Sequence, residues 1–266
     1  MMKLTIVGCS GSLSGPDSAA SSYLVQAPHQ DRTFSLLLDI GPGAMGALYR
    51  YLDPRELDAI ALSHLHADHC LDLCGYYVAA CYSPSAPWPR RPVYGPTNAA
   101  SRIAQAYEVP RGENGVSEHG IPIDEHFDWH TWQPSQRIGP FTVRTVHVDH
   151  PVEAYAIRVE EDVPGGGAMV YSGDTGPSEA LVQIADGVEL LLVESAFLDN
   201  PDNPDGMHLS GAQAAAIGRA AGVGAIVLTH IPPWYEPDRV LAEATPHFEG
   251  PVSLAKPGAA WDIVGR

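Results

Sequence analysis

The sequence predicts an α/β fold, and three observations carry the prediction. Short apolar runs of strand length recur from end to end, among them residues 34–39, 58–63, 189–195 and 225–229. Helical segments stand between them, most clearly the alanine-rich stretch 211–221. Several runs end on a histidine or an acidic residue, so the strand ends carry the chemistry.

In chain order, residues 4–7 and 23–27 read as strands. Residues 8–21 between them are small and polar, which suits a surface loop or a source of backbone and hydroxyl donors for an anion. After the strand at 34–39, Gly41, Gly43 and Gly46 open a helix and match a dinucleotide-binding GxGxxG. That reading is rejected, because the next strand ends in histidines rather than in the acidic residue of a βαβ unit. Asp39 is read instead as the group that holds a ligand histidine in its tautomer.

The strand at 58–63 leads into Ser63-His64-Leu65-His66-Ala67-Asp68-His69, and Leu71, Leu73, Tyr76 and Tyr77 mark a helix beyond it. Residues two apart in an extended segment point the same way, so His64 and His66 can reach one metal. Asp68 and His69, at the helix start, can face a second. Imidazole with a carboxylate is a ligand set that suits zinc, with manganese or iron as alternatives.

Residues 83–96 form a proline-punctuated connection with one short strand, a helix covers 97–107, and the polar segment 108–120 reads as a rim or lid loop. His119, His126 and His130 lack ligand spacing and are read as surface or core histidines. A strand at 141–148 ends in Asp149-His150-Pro151. His147 and His150 are three apart and face opposite sides, and with valines on both faces periodicity does not choose between them. Strands at 155–159 and 168–172 flank a hairpin tip at 160–167. Asp174 follows, placed either to cap the helix begun at Pro177 or to bind metal. The strand at 189–195 contains Glu194; His208 then precedes the helix 211–221, which Ser210 caps, and the strand at 225–229 delivers His230. Residues 252–255 and 261–264 are closing strands, and two strand-rich halves meet around 140–180.

At 266 residues the chain is expected to form a single domain spanning 1–266. No apolar run approaches a membrane span, and the N-terminus leads straight into a strand without a signal-cleavage pattern, so a cytoplasmic protein is expected. The four cysteines, Cys9, Cys70, Cys74 and Cys81, lack CxxC spacing and are expected to be buried free thiols. Fifteen basic against 32 acidic residues give a net charge of −17. Grip on a long nucleic acid relies on basic side chains neutralising phosphates. The balance therefore disfavours a large RNA and suits a small anion drawn by cations at the site.

The run His64-Leu65-His66-Ala67-Asp68-His69 resembles the HxHxDH signature of the metallo-β-lactamase superfamily. That resemblance implies a four-layer αββα sandwich, two mixed β-sheets flanked by helices, with a two-metal site at one end of the sheets. The segment following His150 is similar to the third-histidine segment of the tRNase Z and phosphodiesterase branches. Ser172-Gly173-Asp174-Thr175 resembles their SGDT segment, and the stretch from His208 to His230 resembles their ending. Position by position, the resemblance implies one metal held by His64, His66, His150 and Asp174. It implies a second held by Asp68, His69, Asp174 and His230, with Asp174 and a hydroxide bridging and zinc as the expected ion. It further implies that Asp68 orients the hydroxide, that His208 protonates the leaving oxygen, and that Glu194 holds His208.

A class B β-lactamase would carry a cysteine where Asp174 stands, whereas lactonases and glyoxalase II-like thioesterases share much of the set. Against tRNase Z, only 23 residues separate His150 from Asp174, where a long basic arm is usual, and Pro232-Pro233-Trp234-Tyr235 replaces a serine- and arginine-containing turn. Trp234 suits a purine base or plain packing. Residues 8–25 and 63–73 look most like the atypical class II cyclic-nucleotide phosphodiesterases. The expectation is a phosphodiesterase acting on 3′,5′-cyclic nucleotides, cAMP foremost, and a homodimer as in similar enzymes. The alternatives are an RNA 3′-end endonuclease, a lactone or thioester hydrolase, and a binding module without turnover, which the complete ligand set argues against.

Overall fold

Alternation along the apolar strands splits their side chains between two faces, and the chain buries both. The computed structural model describes residues 1–107 and 122–265. The first half runs β1 (Met2–Ser10), β2 (Ala19–Ala20), β3 (Ser22–His29), β4 (Arg32–Leu38), α1 (Ala44–Leu48), β5 (Ala59–Ala61), α2 (Ala67–Cys70), α3 (Leu73–Tyr82), β6 (Pro92–Gly95), α4 (Ala99–Tyr107), α5 (Ile123–His126) and β7 (Asp128–Thr131). The second runs β8 (Ser135–Ile138), β9 (Phe141–His147), β10 (Tyr155–Glu161), β11 (Ala168–Tyr171), α6 (Glu179–Ile184), β12 (Leu190–Glu194), α7 (Gly211–Ala220), β13 (Ala225–Thr229), α8 (Pro237–Ala244) and β14 (Val252–Leu254). β15 (Ala260–Ile263) crosses back to pair with β1.

One sheet has the order β15-β1-β3-β4-β5-β6-β7, with β2 beside β1, and the other β14-β13-β12-β11-β10-β9-β8. Leu36 and Leu38 of β4 meet Ile157 and Tyr171 of the other sheet in a core between the two, while Leu37 faces the helices on the outside. Val170 and Leu191 similarly pack under α6 and α7. This is the αββα sandwich expected. The halves meet earlier than the expected 140–180, between Thr131 and Ser135, because β7 and β8 are strands on opposite sheets. Of the four free cysteines only Cys70 is buried; Cys9, Cys74 and Cys81 are partly exposed, which corrects the buried reading. His126 lies in the core and His130 on the surface, and His119 and the segment 108–120 fall outside the described residues.

Strand direction gathers the chemistry. β4 through β7 are parallel, as are β11 through β14. Their carboxyl ends deliver Asp39, Ser63, Asp174, Glu194 and His230 to one end of the sandwich, where open α/β sheets place their ligands. The connection from β9 to β10, which holds His150, lies at that same end, since Tyr155 N–H donates to the Ser63 carbonyl.

Candidate metal centre

The helix start after β5 turns Asp68 and His69 inward while the extended approach carries His64 and His66, so one short segment supplies four side chains. Donor atoms of His64, His66, His150 and Asp174 all lie within 4.8 Å of one another, and so do those of Asp68, His69, Asp174 and His230. Asp174 is common to both groups, with Oδ1 3.2 Å from His69 Nε2 and Oδ2 3.2 Å from His230 Nε2. His64 Nε2 stands 3.7 Å from the same Oδ2, and His66 Nδ1 lies 3.1 Å from His150 Nε2. All seven residues expected to bind metal are therefore together. His147 is not among them; its ring lies against Tyr155, tilted by 37° with centroids 4.3 Å apart.

The backbone is bent to reach this geometry. Asp39 and His230 both adopt φ 56°, left-handed for residues other than glycine, a conformation that persists only where surrounding contacts enforce it. Gly173 has φ 60°, and a Cβ there would stand 2.7 Å from the Tyr155 carbonyl, so only glycine lets Asp174 follow. At Gly41 a Cβ would collide with the Asp68 carbonyl, which explains the glycine-rich turn without a nucleotide.

Four of the clustered histidines are each oriented through Nδ1. His69 Nδ1–H donates to Asp39 Oδ2 at 2.7 Å, and His150 Nδ1–H to the Met207 carbonyl at 2.9 Å. His64 Nδ1 meets Ser63 Oγ at 3.1 Å, and His230 Nδ1 meets Ser21 Oγ at 2.9 Å. These bonds leave Nε2 of all four rings for the centre. Asp39 also accepts from Ser63 N–H, Ser63 Oγ and the Tyr171 hydroxyl, each at 2.7 Å. Ser21, Ser63 and Tyr171 are supports that sequence reasoning missed; only the adjacency of Tyr171 to the Asp174 segment hinted at one of them.

A metal pair fits these residues. His64 Nε2, His69 Nε2 and Asp174 Oδ1 are buried and have no hydrogen-bond partner, an arrangement that costs ~1–3 kcal/mol per atom unless a cation accepts their lone pairs. Burial pushes His64, His66, His150 and His230 below the usual imidazole range, which keeps those rings neutral as ligands. Burial opposes charge on His69 as well, but Asp174 and Asp39 outweigh it and hold this ring well above the usual range. Burial also opposes the charge on Asp68 and Asp174. The nearby His69 ring overcomes it for Asp68, and His230, His69 and His64 overcome it for Asp174, so both are held below the usual carboxylate range.

Glu194 and His208 join Asp174 in a third cluster, but this one is not built for an ion. Glu194 is fully buried, and its oxygens accept from the backbone N–H of Thr175, Ala196 and Leu209 and from His208 Nδ1 at 2.8 Å. Burial disfavours a charged His208, but the bond to Glu194 prevails and pushes the His208 pKa up to about 9. The ring stacks on His230 and lies 3.9 Å from Asp174, at the accessible edge of the centre. Ser12 has φ 63° and points its N–H at His230 Nε2 from 3.4 Å, so the serine-rich loop runs across the same edge.

A family model described as a beta-lactamase superfamily domain matches residues 35–231. The chain is 42% identical over 256 residues to an uncharacterized protein, Rv1339, of Mycobacterium tuberculosis, covering 94% of this chain and 88% of that one. It is 28% identical to a ribonuclease Z of Myxococcus xanthus, covering 97% and 96%. The crystal structure of the metallo-beta-lactamase fold protein YhfI from Bacillus subtilis superposes with a TM-score of 0.81 at 30% identity, covering 98% of this chain and all of that one.

Proposed function

The chain belongs to the metallo-β-lactamase superfamily, and from its dinuclear hydrolytic centre we propose a phosphodiesterase that hydrolyses 3′,5′-cyclic nucleotides, cAMP foremost, to 5′-monophosphates. The observation that carries this reading is the hydrogen-bonded His208–Glu194 pair at the edge of the centre, a proton donor held where a leaving oxygen would depart.

The metal-ligand roles of His64, His66, Asp68, His69, His150, Asp174 and His230 belong to the proposal. Two divalent ions held there, zinc being the expected pair, would supply Lewis acidity, lowering the pKa of water and neutralising phosphoryl charge. Asp68, the less buried of the two carboxylates, accepts from the attacking water and aims it at phosphorus. With His230 Nε2 engaged, the Ser12 N–H is free to hold a phosphoryl oxygen. As the P–O3′ bond breaks, His208 gives the Nε2 proton to O3′, and Glu194 keeps its ring aligned. His208 then recovers a proton from solvent.

The ribonuclease Z similarity favours a second reading, cleavage of RNA at the 3′ end. Charge and shape weigh against it. The 23 residues between His150 and Asp174 are used up by β10, β11 and the acidic tip between them. The seven residues of β10 carry that tip about 20 Å from the metal end, where Gly166 bridges to Val264. The test is turnover of cAMP by zinc- or manganese-loaded protein beside a precursor tRNA and a simple lactone, with and without chelator. Chelator-sensitive formation of 5′-AMP with intact RNA is expected. Cleaved RNA with untouched cAMP would overturn the reading in favour of RNA processing, and lactone opening alone would move it to carboxylic esters.

A further inference from the structure

A cavity of about 280 Å³ opens between the loop after β1 and the turn after β13, lined among others by Ser10, Gly15, Asp17, Ile231, Tyr235 and Glu236. It lies next to the metal centre along both of its walls. Thr229 and Ile231, which flank His230, form part of one wall. Ser10, on the other, bridges to Ile231 and is two residues from Ser12, whose N–H faces His230. Two residues of chain span at most ~7 Å, so the Ser10 wall lies within that distance of Ser12 at the reacting edge.

The lining selects a chemistry. Ser10 is 5% exposed, and its Oγ has no hydrogen-bond partner. A Cβ built on Gly15 would come within 3.1 Å of that Oγ and 3.6 Å of Pro233, so the hydroxyl faces the gap between these two cavity-lining residues. A buried hydroxyl left unpaired is costly, and a ligand atom that reaches it past Gly15 would satisfy it. At the mouth, the exposed carboxylates of Asp17 and Glu236 make no hydrogen bond or ion pair among the described residues, and Glu236 does not use its side chain to cap α8. No lysine or arginine lines the cavity, and two carboxylates do, which disfavours a phosphate. Much of the remaining lining is apolar, with Pro16, Pro232, Pro233, Pro237 and Tyr235 the largest share of it. Its volume lies just below the ~300–1,000 Å³ of pockets for drug-sized ligands, which suits one ring system rather than a whole nucleotide.

We infer that this cavity is a base pocket, taking a planar heterocycle with N–H groups, the purine of a cyclic purine nucleotide. Ser10 bonds a ring nitrogen or carbonyl in the interior, and Asp17 and Glu236 accept from N–H groups at the mouth. The inference rests on the cyclic-nucleotide reading and adds the residues that set base preference. Trp234, 60% exposed, does not line the pocket; its neighbour Tyr235 does.

The test compares kcat/KM for cAMP with kcat/KM for bis(4-nitrophenyl) phosphate, a diester without a base, in metal-loaded wild type, Ser10→Ala, Gly15→Val and Glu236→Gln. The ratio of the two is expected to fall about tenfold in Ser10→Ala, the size of one lost hydrogen bond at a buried polar site, and further in Gly15→Val, which plugs the approach. Inhibition of diester turnover by adenosine should weaken in parallel. Glu236 is exposed, so Glu236→Gln keeps the comparison available should a loop variant fail to fold. A ratio that stays at the wild-type value in the folded variants, with cAMP still hydrolysed, overturns the pocket and leaves the phosphodiesterase standing. Wild-type protein that cleaves the base-free diester and ignores cAMP overturns the cyclic-nucleotide reading, and the pocket with it.

Discussion

Asp39 illustrates how much of the centre depends on residues that touch no substrate. It accepts four short hydrogen bonds, from two groups of Ser63, from His69 and from Tyr171, and so fixes the His69 tautomer from both sheets at once. Asp39→Asn should weaken metal binding about 10–100-fold, read by competition with a chromophoric chelator. Tyr171→Phe should cost less, because Asp39 keeps its other donors. His208 is the reverse case, a residue whose loss should spare the metals. His208→Ala is expected to lower kcat about 10²–10⁴-fold with unchanged metal content, and an unaltered rate would remove its role. The sign of the pH effect follows from Glu194. His208 has its pKa raised to about 9, so the acid is present below that value and lost as pH rises through it. Glu194→Gln removes the charge responsible, and the alkaline limb of the rate profile should move to lower pH.

At the scale of elements, the strands that supply the centre are the most apolar, and they are the ones the sequence shows plainly. β12 is buried along its whole length and ends on Glu194. β7 and β8 were not visible, because they are edge strands whose residues are mostly exposed or half-buried and lack clear apolar alternation. α8 was missed too, although Pro237 at its first turn is a helix-start signal. The helix that bears on the site starts where its Ser210 cap predicts: Ser210 accepts from the Gln213 N–H and the Gln213 side chain accepts from the Ser210 N–H, a full capping box two residues after His208. Ser210→Ala should cost about 1 kcal/mol, measured by denaturant unfolding. The same change should lower turnover modestly, since the cap sets where His208 enters the site.

Across the whole molecule, two sheets from separate halves of the chain contribute to one centre, so a metal pair also ties the halves together. Each ion at about 100 times its dissociation constant adds about 2.7 kcal/mol, worth roughly 5–10 °C in a chain of this size. Chelation should therefore lower Tm by several degrees, and returning zinc should restore it; a Tm indifferent to chelator would mean that the centre does not hold metal in the folded protein. The net charge of −17 acts at this scale as well, since it leaves the centre as the place where an anion meets positive charge. No helix among the described residues is long and apolar enough to cross a membrane.

By itself the sequence determined the α/β class, the order of the main strands and the local cluster His64 to His69, since periodicity and spacing are properties of neighbours along the chain. Through resemblance it also indicated His150, Asp174, Glu194, His208 and His230. The tertiary structure alone decided that these distant residues converge, that Ser21, Ser63 and Tyr171 orient them, and that Ser10 and Glu236 face one cavity beside His230. Hydroxyls and backbone carbonyls acquire such roles from where strand direction and packing place them, and a serine or tyrosine carries no mark of that in its own stretch of sequence.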